Sequence, residues 1–193
     1  MDSADPLARQ RELQTEADLV HTDLRLGELL GALGEPVRVG SAALGLMVRR
    51  DLDITVICPR LDPAAKSAVA GVGAELAVHD RVRQVRFRDD TGCWNTDPRY
   101  PDGLYLGVEY RCPSGQEWTL DIWFVDEPDR QPDLEHLRTL PPRLTDDHRR
   151  AILRIKSALP GVPGYEVYRA VLDRGITTAE QFERQAQSST MDN

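Results

Sequence analysis

Three features of the chain predict an α+β fold, with a mixed sheet followed by a helical C-terminal part. Apolar residues recur at the two-residue strand period in several short runs between residues 36 and 125. Helical spacing replaces that period after residue 128. Gly, Pro, Asp and Asn cluster between these segments, where the chain must turn.

The elements follow in order. Residues 7–33 read as one helix, with Leu19, Leu24, Leu26, Leu29, Leu30 and Leu33 giving the apolar spacing and Gly34 a stop. Residues 36–40 form a short strand, and 42–47 suit one or two helical turns. Asp51–Cys58 is a central strand, ended by Pro59. Residues 63–78 are a helix of small residues, weakened by Gly71 and Gly73. Residues 82–88 alternate as a half-buried strand, and 89–102 are loop. Residues 104–111 and 118–125 pair as a hairpin around Pro113-Ser-Gly-Gln116. A short helix near 134–139 lies in a Pro-rich link. Three helices follow: 145–158 with Thr145 as N-cap, 165–173 ending at Gly175, and 178–187 before a loose polar tail, 188–193. The expected division is a sheet domain with its N-terminal helix over 1–127 and a helical region over 128–193.

Composition narrows the function classes. The chain of 193 residues carries 32 acidic and 24 basic side chains, a net charge of −8, with no basic stripe. That balance argues against a nucleic-acid partner. Cys58, Cys93 and Cys112 are widely spaced, with no Cys-x-x-Cys, which fits a reduced cytoplasmic setting without a zinc site. No apolar stretch approaches the ~20 residues of a membrane span. The histidines His21, His79, His136 and His148 stand alone. For Trp118 and Trp123, core or interface packing is the first expectation; their opposite strand parity allows only one to face a site.

The chemistry concentrates in residues 39–57. Gly40 and Ser41 close a short apolar run, and Asp51 and Asp53 open the next. Side chains two apart in a strand point the same way, so the two carboxylates project side by side, about 7 Å apart along the chain. Such carboxylates repel unless a cation lies between them, and hard divalent ions take ligands of this kind. Glycine lets backbone N–H groups approach a phosphate, and the serine hydroxyl adds a donor. One later strand, Trp118–Val125, has a lone central acid, Asp121.

Val39, Gly40, Ser41, Asp51 and Asp53, with Asp121 as third carboxylate, resemble the signature of the nucleotidyltransferase superfamily of the DNA polymerase β type. The resemblance covers residues 36–126; the C-terminal helices match in kind. It implies a nucleotidyltransferase domain with a C-terminal helical bundle. It implies transfer of a nucleoside monophosphate from a nucleoside triphosphate, ATP among the candidates, to a hydroxyl of a small molecule or protein, with release of pyrophosphate. Asp51, Asp53 and Asp121 would bind Mg²⁺ (or Mn²⁺), and Gly40 and Ser41 the β- and γ-phosphates.

Three further residues keep two readings each. Arg49 contacts triphosphate oxygens, or is a solvated loop residue paired with acids. Lys156 lies where several relatives place a phosphate-contacting base, or marks the boundary of its helix's buried stripe. Glu109 is a general base if the hairpin register sets it opposite Asp121, as a three- or five-residue loop would, or a solvated strand glutamate. At the level of the whole protein, the alternative is a non-catalytic, antitoxin-like binding protein of the same fold.

Overall fold

A computed structural model describes residues 5–191. The elements are α1 (Pro6–Asp23), α2 (Leu26–Gly31), β1 (Glu35–Arg38), α3 (Gly40–Leu44), β2 (Asp51–Ile57), α4 (Pro63–Ala77), β3 (Val82–Asp90), β4 (Gly103–Arg111), β5 (Glu117–Val125), α5 (Pro132–Thr139), α6 (Asp146–Ala158), α7 (Gly164–Arg174) and α8 (Ala179–Met191). The mixed α+β architecture expected from the sequence is the one observed.

The five strands form one sheet in the order β1-β2-β5-β4-β3. Only the β2–β5 pair is parallel. Strand alternation gives the sheet two different faces. Leu52, Ile54 and Val56 of β2, Leu106 and Val108 of β4, and Leu120, Ile122 and Phe124 of β5 point to one face and are buried. They pack in one core with Leu13, Ala17 and Val20 of α1, Leu26 and Leu30 of α2, and Val69, Val72 and Leu76 of α4. The opposite face carries Asp51, Asp53, Tyr105, Glu109, Asp121 and Trp123. A second apolar cluster joins Leu44 and Leu46, just before β2, to Ile152 and Ile155 of α6 and Val167 and Val171 of α7. The helical part is thereby anchored beside the Gly40–Ser41 turn. Among the described residues, no helix is long and apolar enough to cross a membrane.

Several local expectations are corrected. The first helix is two, broken where Arg25 takes a left-handed φ of 50°. Residues two apart lie on different sides of a continuous helix, yet Leu24 and Leu26 are both buried, at 3% and 0% exposure. The break lets both enter the core. The last helix runs on to Met191, because nothing in residues 188–191 stops it; 192–193 lie outside the described residues. Its start is fixed by a reciprocal cap, with Gln181 N–H donating to Thr178 Oγ1 and Thr178 N–H to Gln181 Oε1. β3 extends to Asp90, and a short 3-10 turn, Gly92–Trp94, follows.

The hairpin register also differs. Arg111 pairs with Glu117, so the loop has five residues but spans 112–116, one position earlier than the 113–117 that would set Glu109 opposite Asp121. That register sets Gly107 opposite Asp121 and Glu109 opposite Thr119. Glu109 is not Asp121's cross-strand partner, and its carboxylate lies 3.9 Å from Arg83.

Leu120 is fully buried directly before Asp121. Leu120→Ala is expected to cost about 2–5 kcal/mol through the cavity it leaves, read as a lower urea midpoint with an unchanged slope.

Candidate active site

Two parallel strands build the centre of the site. The β2–β5 register pairs Asp53 with Asp121 and Asp51 with Thr119. All three aspartates therefore share the open face, and one oxygen from each lies within 4.8 Å of the others. The Thr119 hydroxyl donates to Asp51 Oδ1 at 2.7 Å, and the Tyr105 hydroxyl donates to Asp121.

This crowding changes ionisation. Asp53 is pushed up to about 7, first by burial and then by Asp51, Asp121 and Asp133, with Lys156 opposing. Lys156 is pushed down to about 8 by burial and Arg49, while Asp53 and Asp51 hold it up. An acid and a base both displaced towards neutrality mark a site that lacks compensating charge. Three clustered carboxylates form an all-oxygen donor set that suits a hard divalent cation.

Gly40 sits against the centre of this cluster. It has a φ of +61°, which disfavours any side chain. A Cβ there would also overlap the Asp53 carboxyl group, 2.9 Å from its Cγ. The glycine thus keeps the β1–α3 turn pressed onto Asp53, and Val39 N–H donates to the Asp53 carbonyl at 3.0 Å.

A cavity of about 430 Å³ gathers the rest of the site. It contains Gly40, Ser41, Arg49, the three aspartates and Lys156, whereas Glu109, the other candidate from the sequence, lies outside it. Lys156 reaches in from α6, its Nζ donating to the Leu46 carbonyl at 2.8 Å and the Tyr168 hydroxyl at 3.3 Å. Arg49 lies at the rim, 70% exposed, with its Nε 3.3 Å from Asp51.

The same pocket holds residues the sequence reading did not single out. Asp133 and His136 come from α5, and Tyr165 and Tyr168 from α7. Burial raises both Asp133 and Tyr168. Asp133 carries a faint sequence signal, an acid directly after Pro132 at a helix start, but that pattern also suits an ordinary cap. Trp118 is buried in the core, whereas Trp123 lies on the open face against Tyr105, ring centroids 5.1 Å apart. Both tryptophans are packed, the second against Tyr105, Arg88 and Gly103 on the open face.

Solved structures share the fold of this chain. The chain aligns with a cytoplasmic RNA terminal U-transferase at a TM-score of 0.51 and 18% identity, covering 82% of this chain and 47% of that one. It aligns with Cid1, described for its RNA terminal uridylyl transferase activity, at a TM-score of 0.49 and 16% identity, covering 86% and 47%. The small alarmone synthetase 1 of Bacillus subtilis aligns at 0.32 and 14%, covering 96% and 95%. The chain spans about half the length of the two uridylyl transferases. No family model and no curated protein matches it. The chain has the nucleotidyltransferase superfamily fold.

The raised Asp53 predicts a pH dependence. Its folded value, about 7, exceeds the ordinary 3.8, so the folded state keeps a proton that the unfolded state releases. Stability contributed by this group is lost as pH rises from about 4 to about 7. In EDTA, Asp53 alone is expected to lower the unfolding free energy by about 2–3 kcal/mol between pH 5 and 7.5. Asp53→Asn, which cannot ionise, should flatten that fall; melting curves across the range check it.

Proposed function

We propose that the protein transfers a nucleoside monophosphate from a nucleoside triphosphate to a hydroxyl acceptor and releases pyrophosphate. One observation carries the reading: three carboxylates from adjacent parallel strands converge within 4.8 Å, beside a glycine-serine turn and a half-buried lysine. The superfamily fold supports it.

The residues present fit a divalent cation, and Asp51, Asp53 and Asp121 would hold it as Mg²⁺ or Mn²⁺. Bound there, the ion supplies Lewis-acid polarisation of the phosphoryl group and neutralises its charge.

The chain's own groups divide the remaining work. Gly40 leaves room for phosphate oxygens to approach the backbone, and Ser41 offers a hydroxyl donor. Lys156, with a value near 8, is mostly protonated at neutral pH and faces the same space. Arg49 flanks it at the rim. These donors gather the β- and γ-phosphates at one end of the pocket, which orients the leaving group. Tyr165, 45% exposed, offers an aromatic face to the nucleoside at the α7 end. Asp121, which also lines the adjoining cavity, is the carboxylate at which an acceptor hydroxyl would lose its proton.

Ser41→Ala is expected to weaken nucleotide binding about threefold to tenfold, the worth of one hydrogen bond. Gly40→Val should abolish it, because the new side chain displaces Asp53 and strains the turn. Thermal shift with nucleoside triphosphate and Mg²⁺ checks both; wild-type affinity in Gly40→Val would remove the turn from the site.

The reaction itself is tested by product analysis with α- and γ-labelled nucleotide. Label from the α position is expected on the acceptor and label from the γ position in pyrophosphate. γ-label on the acceptor would make the protein a phosphotransferase. Nucleotide binding without transfer to any acceptor would favour the antitoxin-like, non-catalytic reading.

A further inference from the structure

The nucleotide pocket shares Arg49, Asp51 and Asp121 with a second cavity of about 400 Å³. This second cavity spreads over the open face of β3, β4 and β5, across Arg86, Tyr105, Gly107 and Glu109. Asp121 therefore stands on the boundary between two spaces. One faces the phosphate donors Gly40, Ser41 and Lys156. The other lacks all three and is lined instead by Arg86, Tyr105 and Gly107, which leaves it free for an acceptor.

The second face is shaped around Asp121. Gly107 pairs with Asp121, and a Cβ at Gly107 would come within 3.0 Å of the Tyr105 ring carbon that bears the hydroxyl. Only without that side chain can the ring lie along the strand and its hydroxyl reach Asp121. Arg86 lies over the same ring, 5.6 Å from its centroid. Its charge is not neutralised as its neighbours' charges are. Arg49 pairs with Asp51, Arg83 with Glu109 and Arg88 with Asp90. Among the described residues, no carboxylate lies within 4.0 Å of the Arg86 guanidinium.

We infer that the acceptor is a small hydroxyl-bearing anion, a phosphate monoester or a carboxylate, seated in this cavity with its anionic group on Arg86 and its hydroxyl at Asp121. This rests on the nucleotidyl-transfer reading. Arg86 supplies planar paired donors of the kind that read phosphate and carboxylate. The Tyr105 hydroxyl donates to Asp121 and is a hydrogen-bond partner of Arg86, so one side chain links the two groups that would hold the acceptor. In the step, that oxygen bonds to the α-phosphorus as the bond from the α-phosphorus to the α,β-bridging oxygen breaks. Pyrophosphate leaves with the electron pair, and the hydroxyl proton passes to the Asp121 carboxylate. A cavity of about 400 Å³ takes a small molecule, and a net charge of −8 opposes a long polyanion.

The test measures transfer from α-labelled nucleoside triphosphate with Mn²⁺ to matched acceptors. Sugar phosphates and nucleoside 5′-monophosphates are set against the unphosphorylated sugars and nucleosides. Hydroxy acids are set against their methyl esters. Label is expected on the charged member of a pair, and the two arms separate phosphate from carboxylate. Arg86→Gln should raise KM for the labelled acceptor tenfold or more and leave thermal stabilisation by nucleotide and Mn²⁺ unchanged; Arg86→Lys should recover part of the loss. Equal labelling of charged and neutral members overturns the inference. So does labelling of no charged acceptor while nucleotide and Mn²⁺ still stabilise the protein. Absence of that stabilisation in the wild type overturns the nucleotidyl-transfer reading itself, and the acceptor class with it.

Discussion

The site depends on the parallel pairing of β2 with β5. That register alone sets Asp53 beside Asp121, with Asp51 one pleat away. Carboxylates so placed repel, and the hydroxyl donors Thr119 and Tyr105 bring no charge to offset that repulsion. The buried face holds them there. Leu52, Ile54, Leu120 and Ile122 are each at most 2% exposed, and a one-residue slip of either strand would turn aspartates into that core and leucines out of it. Apolar burial on one side of the sheet therefore imposes electrostatic crowding on the other.

The surroundings keep this crowding in one geometry. Gly40 closes on Asp53 where a side chain would push it away. Thr119 and Tyr105 donate to Asp51 and Asp121 and fix two of the three carboxylates. Lys156 brings one half-buried cation from the helical part, and its own charge is weakened by the desolvation it meets there. The second apolar cluster explains how that lysine arrives: Leu44 and Leu46 tie the α3 turn to α6 and α7, so the Gly40–Ser41 turn and the lysine's helix pack into one cluster. Preorganised donors and an undercompensated cluster of acids together favour a charged ligand over water.

The parts legible in the sequence are those with local causes. Strand period located β2, β4 and β5, and the i, i+2 rule placed Asp51 and Asp53 on one side. Thr145 does cap α6, and Gly175 does end α7. The parts that were not legible have causes distant in the chain. The break at Arg25 follows from burying both Leu24 and Leu26, which no Gly or Pro announces. The place of Glu109 turned on where the loop closes, and pairing at Arg111–Glu117 moved it opposite Thr119. Asp133, Tyr168 and Tyr105 reach the site only through packing of α5 and α7 and through the space left at Gly107. Lys156 had two readings in the sequence because its helical stripe does not record what lies across from it.

The central claim is that Asp51, Asp53 and Asp121 form one divalent-cation site. Mn²⁺ binding followed by electron paramagnetic resonance tests it directly, since bound and free ion are counted separately and no acceptor is needed. Saturable binding is predicted for the wild type at neutral pH, with at least a tenfold loss of affinity in both Asp53→Asn and Asp121→Asn, each still folded by circular dichroism. Wild-type Mn²⁺ affinity in either folded variant would contradict the account.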